Sequence, residues 1–592
     1  MQGDQFGLPF YFYPMIIRYL RCIILVSVFC LLTSDIFGQN ALFIPDTLVG
    51  DTFNLNVQQS TKVFYPTHTT PTYGVNGNFL GPTLIFNKWD SVWLNVTNNM
   101  NVATTMHWHG MHVPAVCDGG PAQVINPGTT WSPVYRVLND AGTYWYHPHG
   151  NMNTELQVTR GLGGMIIVRD SAEAGYALPR KYGVDDFPLI VQTKSFDVLY
   201  QLQAYTQDDT VPMVNGTIDP FLQVPHQVVR LRLLNASADR AFDFGLENDS
   251  AFYMIASDGG MLSAPLQTTR ITLSPGERAE ILVDFSHWNI GQSVHLLSYA
   301  SELAHGIMGA DSVGTANSQI GGYYNNFLNG ADYNIIRFDV VAPTANAVTT
   351  IPSSFNAVNP LLASQMDVAR TFYFTADTST TGMDGFVDGP FLINGHSFAM
   401  DTINEVVQLN DVEIWTLINQ TLVAHPFHIH DVQFYVLDIN GNLPPPEDAG
   451  RKDVINVMPG DTVRFITQFT DFADTGNCYM YHCHLLHHED EGMMGSFIVV
   501  DSSQLSVHEI MHMNHFALYP VPVADELEIL LPGMNADAEI SVYDNAGKLI
   551  QKFDTNNSSC KMDVSHFPAG VYFVHVISDG ETMVGKFMVT HR

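Results

Sequence analysis

Cysteine and basic charge are what this sequence has least of. Six cysteines occur in 592 residues, and two of them, Cys22 and Cys30, belong to an amino-terminal apolar stretch. The other four, Cys117, Cys478, Cys483 and Cys560, are too few for a disulfide scaffold, so at least one needs a role other than stapling. Lys and Arg number 25 against 59 Asp and Glu, and the net charge of -34 repels polyanions, which speaks against nucleic acid as a partner. No helical apolar period is held for long, and only 14% of residues are charged, which argues against long charged helices. The apolar run from Cys22 to Leu32 is too short to span a bilayer. With Arg18 and Arg21 before it and small or polar residues near Gly38 and Gln39 after it, it reads as an export signal over 1–39, starting at Met1 or Met15.

What is present is alternation. From about Ala41 to Val500, short apolar runs are punctuated by Gly, Pro, Asn and Asp, the pattern of an all-β body. The length exceeds one hydrophobic core, and similar phrases return every 150 to 200 residues. Gly81-Pro-Thr-Leu-Ile-Phe precedes Trp93-Leu-Asn-Val; Val214-Asn-Gly precedes Val229-Arg-Leu-Arg; Ile393-Asn-Gly precedes Ile414-Trp-Thr-Leu. Three domain copies follow. Tyr144-Trp-Tyr-His-Pro-His in the first copy answers Tyr479-Met-Tyr-His-Cys-His in the third, and the middle copy has no counterpart. Metal chemistry is therefore expected in copies one and three, with the middle copy as a spacer that holds their geometry. A linker is expected over Pro343 to Met366, and a small separate β-sandwich after a boundary near Ser502 to His515.

Four His-x-His pairs occur: His107/His109, His147/His149, His428/His430 and His482/His484. Random placement of the 24 histidines gives roughly one such pair. On a strand, residues i and i+2 face the same side, so four pairs offer eight imidazoles to one cavity. Cys483 lies between His482 and His484, and its sulfur is expected to project to the opposite side. A thiolate, two imidazoles and a weak thioether make a blue-copper ligand set, which Cys483, His425, His488 and Met493 supply. A structural zinc site would want four strong ligands and no thioether. Reducing dioxygen to water takes four electrons, which matches one blue copper and a three-copper cluster joined through the Cys483 peptide.

These motifs resemble those of the multicopper oxidases, a family that includes laccases, copper-efflux oxidases and bilirubin oxidases, over roughly residues 41–500. The resemblance implies three cupredoxin-like Greek-key domains at 40–175, 176–345 and 346–503, with four copper ions. By position it implies that His425, Cys483 and His488 hold the type 1 copper with Met493 axial. His107 and His428 would hold the type 2 copper, and His109, His147, His149, His430, His482 and His484 the type 3 pair. Asp118 and Glu489 match the proton-relay acids of copper-efflux oxidases. Thr421 stands where those enzymes carry an acid, and residues 342–400 lack their methionine-rich insert, which points to a laccase-like enzyme oxidising phenols or aromatic amines with dioxygen as acceptor. A cuprous or bilirubin oxidase, a copper nitrite reductase and a non-enzymatic copper-binding protein are the alternatives. Cys117 and Cys478 each lie near a copper motif, and a disulfide between them stays open, requiring Cβ atoms within about 4.5 Å. His508, Met511, His512, Met513 and His515 form a soft-ligand cluster in a linker at 504–515. Leu518-Tyr-Pro-Val-Pro, Val542-Tyr-Asp-Asn-Ala-Gly-Lys and Phe567-Pro-Ala-Gly-Val-Tyr resemble the type IX secretion sorting domain, placed at 516–592. That resemblance implies the type IX machinery as a partner and a secreted or cell-surface protein.

Overall fold

The strand Ser91–Asn98 shows how this sequence builds its sheets. Val92, Leu94 and Val96 alternate into the core and are fully buried, while Trp93 between them faces outward. A computed structural model describes residues 40–356, 360–378, 385–501 and, between 517 and 590, all but 520–522, 532–537, 546, 558 and 579–580. The expected export signal and the His508 to His515 cluster lie outside the described residues.

Each of the three copies is a pair of packed sheets around its own core. In the first, one sheet runs in the order Thr47–Val49, Thr83–Asn87, Gly164–Arg169, Gly142–His147, His107–His109. It packs on a sheet built from Thr52–Tyr65, His68–Val75 and Ser91–Asn98, with Phe53, Leu84, Leu94 and Ile166 in the shared core. The third copy repeats the plan: Asp474–Cys483 lies between Met494–Val500 and His425–Ile429, over a core holding Phe372, Trp415, Phe427 and Phe465. The middle copy pairs a six-stranded sheet with a larger one centred on Asp186–Phe196, Val228–Asn235 and Arg278–Asp284. Asn40–Ala41, which the repeat pattern assigns to the first copy, adds in parallel to Pro220–Pro225 of the middle one. Two residues are too short for any pattern to reveal that pairing.

Strands at the domain seams read differently from Ser91–Asn98. Every residue of Gly142–His147 and nearly every one of Asp186–Phe196 is buried, because a neighbouring domain covers the face that water covers elsewhere. Charge is buried there in pairs. Arg230 bonds Glu173 (2.7 Å) and Arg232, paired with Asp186 of its own copy (2.7 Å), donates to the Thr143 hydroxyl (2.9 Å), tying the first and middle copies. The carboxylate of Asp490, in the third copy, accepts the Thr154 and Glu155 N–H groups (2.8 and 3.0 Å), so it caps the helix Thr154–Thr159 of the first.

His112 of the first copy makes a pH-dependent tie to the third. Its Nδ1 lies 2.7 Å from Asp431 Oδ1 and its Nε2 lies 3.1 Å from Asp471 Oδ2. Burial lowers this imidazole, but the two carboxylates outweigh it and push it up to about 9. A group raised in the folded state gives its full stabilisation below its unfolded value near 6.5 and loses it as pH climbs through about 9. Unfolding free energy should therefore fall between those values, and His112→Gln should flatten that part of the profile in denaturant titrations.

Contacts divide the chain between Val499 and Val500. The second unit, taken by itself, stacks a three-stranded sheet (Ala517–Tyr519, Glu526–Leu530, Ser559–Asp563) on a four-stranded one from Ala538–Asp544 to Glu581–Val589. Leu527, Ile540, Val574 and Phe587 form its core.

Candidate metal centre

Strand pairing brings the histidine motifs together. His107 pairs in register with His147 in the first copy, and His428 with His482 in the third. Because i and i+2 share a face, the partners His109, His149, His430 and His484 join them, and all eight rings are buried. They meet across the seam between the copies: His107 stacks on His430 at 3.9 Å between centroids, and His109 on His428 at 3.8 Å. Three sets have ligand atoms within 4.8 Å of one another: His109/His147/His484, His149/His430/His482 and His107/His109/His428. Each set draws on both copies.

The donor chemistry fits a metal cluster. Burial, and then the neighbouring imidazoles, hold His109, His149, His428 and His430 well below the usual histidine range, so they are neutral donors. Burial takes His482 down to about 3. His107 Nδ1 donates to the Asp118 carbonyl (2.9 Å), His428 Nδ1 to the Asp453 carbonyl (2.8 Å) and His482 Nδ1 to the Cys483 carbonyl (3.0 Å). Such bonds fix the tautomer and aim Nε2 inward. The Nε2 atoms of His107 and His428 and both ring nitrogens of His484 have no hydrogen-bond partner among the described residues. Buried polar atoms left this way call for an ion.

Cys483 ends its strand opposite Phe427 and lies in the core of the third copy, on the face away from the histidine cavity. Its Sγ is 3.5 Å from His425 Nδ1 and 3.6 Å from His488 Nδ1. Met493 is fully buried in the same cluster, and its carbonyl accepts the Cys483 N–H (3.1 Å). Burial pushes the Cys483 thiol well up, and a cation beside it is what favours the thiolate. Burial also takes His425 down to about 3, leaving a neutral ligand. The two predicted carboxylates sit behind the cluster histidines. Asp118 Oδ2 is 2.7 Å from His430 Nδ1, while Glu489 lies 3.4 Å from His149 and 3.3 Å from His482 and accepts the Thr154 hydroxyl (2.8 Å).

Three supporting groups escaped the sequence reading. Thr421, noted only for the acid it replaces, sits 2.8 Å from His425 Nε2 and donates to Asn419 (2.8 Å), so it fixes the ring that turns Nδ1 to the sulfur. Asp453 lies 3.2 Å from His109 Nε2 and is gripped by Arg278 of the middle copy (2.5 and 2.7 Å). Gly276, at φ +87°, lets the His484 ring approach so closely that a Cβ there would fall 2.9 Å from it. The middle copy is thus more than a spacer, since it forms part of the cluster's wall. The available signal was charge within an apolar strand, Arg278-Ala-Glu-Ile-Leu-Val. Cys117 and Cys478 are free thiols, so the disulfide left open by the sequence is absent among the described residues.

Sequence profiles described as multicopper oxidase match residues 56–173, 199–300 and 363–503. The chain is 34% identical over 482 residues to the multicopper oxidase mco of Staphylococcus haemolyticus, covering 78% of this chain and 93% of that protein. This chain belongs to the multicopper oxidase family. It is a copper-binding oxidoreductase with three cupredoxin-like domains. A laccase-like multi-copper oxidase CueO from Ochrobactrum sp. aligns with a TM-score of 0.68 at 32% identity, covering 78% of this chain and all of that one. The oxidase is also 32% identical to cell division protein FtsP of Sodalis glossinidius, over 78% of this chain and 92% of that protein. Residues 517–590 match a secretion system C-terminal sorting domain, which suggests export by type IX secretion.

Proposed function

We propose that this multicopper oxidase takes single electrons from phenols or aromatic amines at a type 1 copper held by His425, Cys483, His488 and Met493, and reduces dioxygen to water at a trinuclear cluster. His107 and His428 would hold the type 2 copper; His109, His147 and His484, with His149, His430 and His482, would hold the type 3 pair, giving four ions in all. The observation that carries this reading is the position of Cys483, whose sulfur meets two imidazoles on one face of a strand while its neighbours His482 and His484 enter the cluster on the other. The Ochrobactrum enzyme's described activity towards lignin model compounds supports the donor class.

Bound copper supplies the one-electron acceptor and the dioxygen chemistry. The protein supplies the rest. Cys483 and its two flanking peptide bonds give a covalent route of one residue to either cluster histidine. Asp118 orients two cluster rings at once, through its carbonyl to His107 and its carboxylate to His430. Burial, then the adjacent Asp490, raise the Glu489 carboxyl well above the usual range, which suits it to carry a proton towards His149 and His482. Glu489→Gln should slow oxygen uptake by about 100-fold or more while the blue absorption stays, since general acid contributions are of that order. Unchanged uptake removes Glu489 from proton delivery.

We assign the domains to 40–175, 176–345 and 346–503 on the repeat pattern, and the export signal with the sorting domain to delivery at the cell surface or beyond it. Oxygen uptake by the copper-loaded protein with phenolic, aromatic-amine, bilirubin and cuprous donors tests the donor class. The largest kcat/KM is expected with a phenol or aromatic amine. A larger value for bilirubin or cuprous ion would replace that class, and no uptake with any donor would leave only a copper-binding protein.

A further inference from the structure

Two of the histidine sets at the seam are held from different sides. Around His149, His430 and His482 the supports come from the first and third copies. Asp118 Oδ2 is 2.7 Å from His430 Nδ1, Glu489 lies 3.4 Å from His149 and 3.3 Å from His482, and the Cys483 carbonyl accepts from His482. Around His109, His147 and His484 the middle copy intervenes at each ligand. Asp453 fixes His109 Nε2 and leaves Nδ1 turned to His147 Nε2 (3.4 Å), and Arg278 of the middle copy is what grips Asp453. Neither ring nitrogen of His484 has a hydrogen-bond partner among the described residues, so packing orients this ring, which lies against Gly276 of the middle copy.

For His147 the support is Trp145. It stands two residues earlier on the same face of the strand Gly142–His147, and it is paired in register with His109. Its indole stacks on His147 at 4.1 Å between centroids and 27° between planes, and lies 5.3 Å from His109 and 5.7 Å from His484. One ring thus borders all three ligands. Its Nε1 has no hydrogen-bond partner among the described residues, so what Trp145 brings is the face of the ring. The same side chain belongs to a buried cluster with Ile190, Met213, Leu234 and Ala236 of the middle copy. In the repeated phrase Tyr479-Met-Tyr-His of the third copy, the place of Trp145 is taken by Met480, which has no ring to stack.

We infer that the middle copy governs one ion of the four, the type 3 ion of His109, His147 and His484, with Trp145, Gly276 and Arg278 as its positioning residues. The inference rests on the trinuclear reading above. A ligand set holds a metal tightly only when its rings are already aimed, and the groups behind the rings set that aim. Here the aim of all three rings depends on surfaces that another domain supplies. This ion is therefore the last to be held as the domains dock and the first to leave when the seam loosens. The other type 3 ion keeps its supports in the first and third copies. So does the type 2 ion, whose ligands His107 and His428 donate to the carbonyls of Asp118 and Asp453.

The test dialyses copper-loaded protein against EDTA and records bound copper, the visible spectrum and the paramagnetic resonance spectrum on one sample. Gly276→Ala puts a Cβ 2.9 Å from the His484 ring, and Trp145→Leu removes the face on His147. Each should weaken that one ion about 10- to 100-fold, so that copper falls from about four to about three per chain. The blue absorption should stay, and the type 3 ion left without its magnetic partner should add a cupric signal that the unmodified protein lacks. Trp145→Phe keeps an aromatic face and should retain every ion. Leu231→Ala, in the interior of the middle copy, controls for plain loss of stability and should lower the unfolding midpoint with the copper count unchanged. A full copper count with no new signal in both Gly276→Ala and Trp145→Leu overturns the inference, as does loss of the type 2 ion together with both type 3 ions. Equal losses in Trp145→Phe and Trp145→Leu, or loss of the same ion in Leu231→Ala, reduce the role to packing and overturn it too. A seam without copper in the unmodified protein overturns the trinuclear reading itself, which separates that failure from this one.

Discussion

Replacing Cys483 with serine should abolish the blue absorption and cut oxygen uptake with every donor more than about 100-fold, beyond the effect of losing an outer-shell partner. The serine oxygen is a hard donor that does not ionise at neutral pH, so His425 and His488 would be left with no charged ligand between them. The exchange is small, and the backbone pairing of residue 483 with Phe427 and the bond from His482 Nδ1 to the residue 483 carbonyl are untouched. The histidine cavity should therefore persist, and copper analysis should show about three of the four ions retained, as expected when only one of the two ligand sets is broken. Oxygen uptake, the visible spectrum and bound copper measured on one preparation check all three outcomes. Retained blue colour would separate the absorption from Cys483 and undo the type 1 assignment.

Arg278→Leu should destabilise the protein by about 3–5 kcal/mol, since it strands a fully buried carboxylate. Arg278 and Asp453 are both 0% exposed and joined by two bonds, and Arg278 also donates to the carbonyls of Thr143 (3.1 Å) and Asp258 (2.9 Å). One guanidinium thus links all three copies directly behind His109 and His484. Adding Asp453→Asn removes the unpaired charge and should recover part of the loss, because the buried anion causes most of it. Guanidinium titration of the single and double variants is the measurement, and a single-variant loss below about 1 kcal/mol would mean that the pair is not what joins the domains.

The histidine motifs could be read in the sequence because strand geometry has a period of two. His107/His109 needs no knowledge of the fold to be seen as a pair of ligands, and Cys483 between His482 and His484 announces two sites on one strand. What stayed hidden depends on contacts that only the folded chain makes. Thr421 reads as an ordinary threonine until its hydroxyl is found on His425 Nε2. Asp453 reads as a loop acid, yet it sits 175 positions from Arg278 and 344 from His109. The reading of the middle copy as a spacer that holds the geometry was incomplete for the same reason: the copy has no histidine motif, and what it adds to the cluster's wall is a glycine and an arginine.

Diffraction from crystals of the copper-loaded protein, collected on either side of the copper absorption edge, tests the arrangement most directly. Four anomalous peaks are expected, one against the Cys483 sulfur between His425 and His488, and three ringed by the four histidine pairs at the seam of the first and third domains. Peaks confined to the Cys483 side, or scattered away from the eight imidazoles, would contradict it.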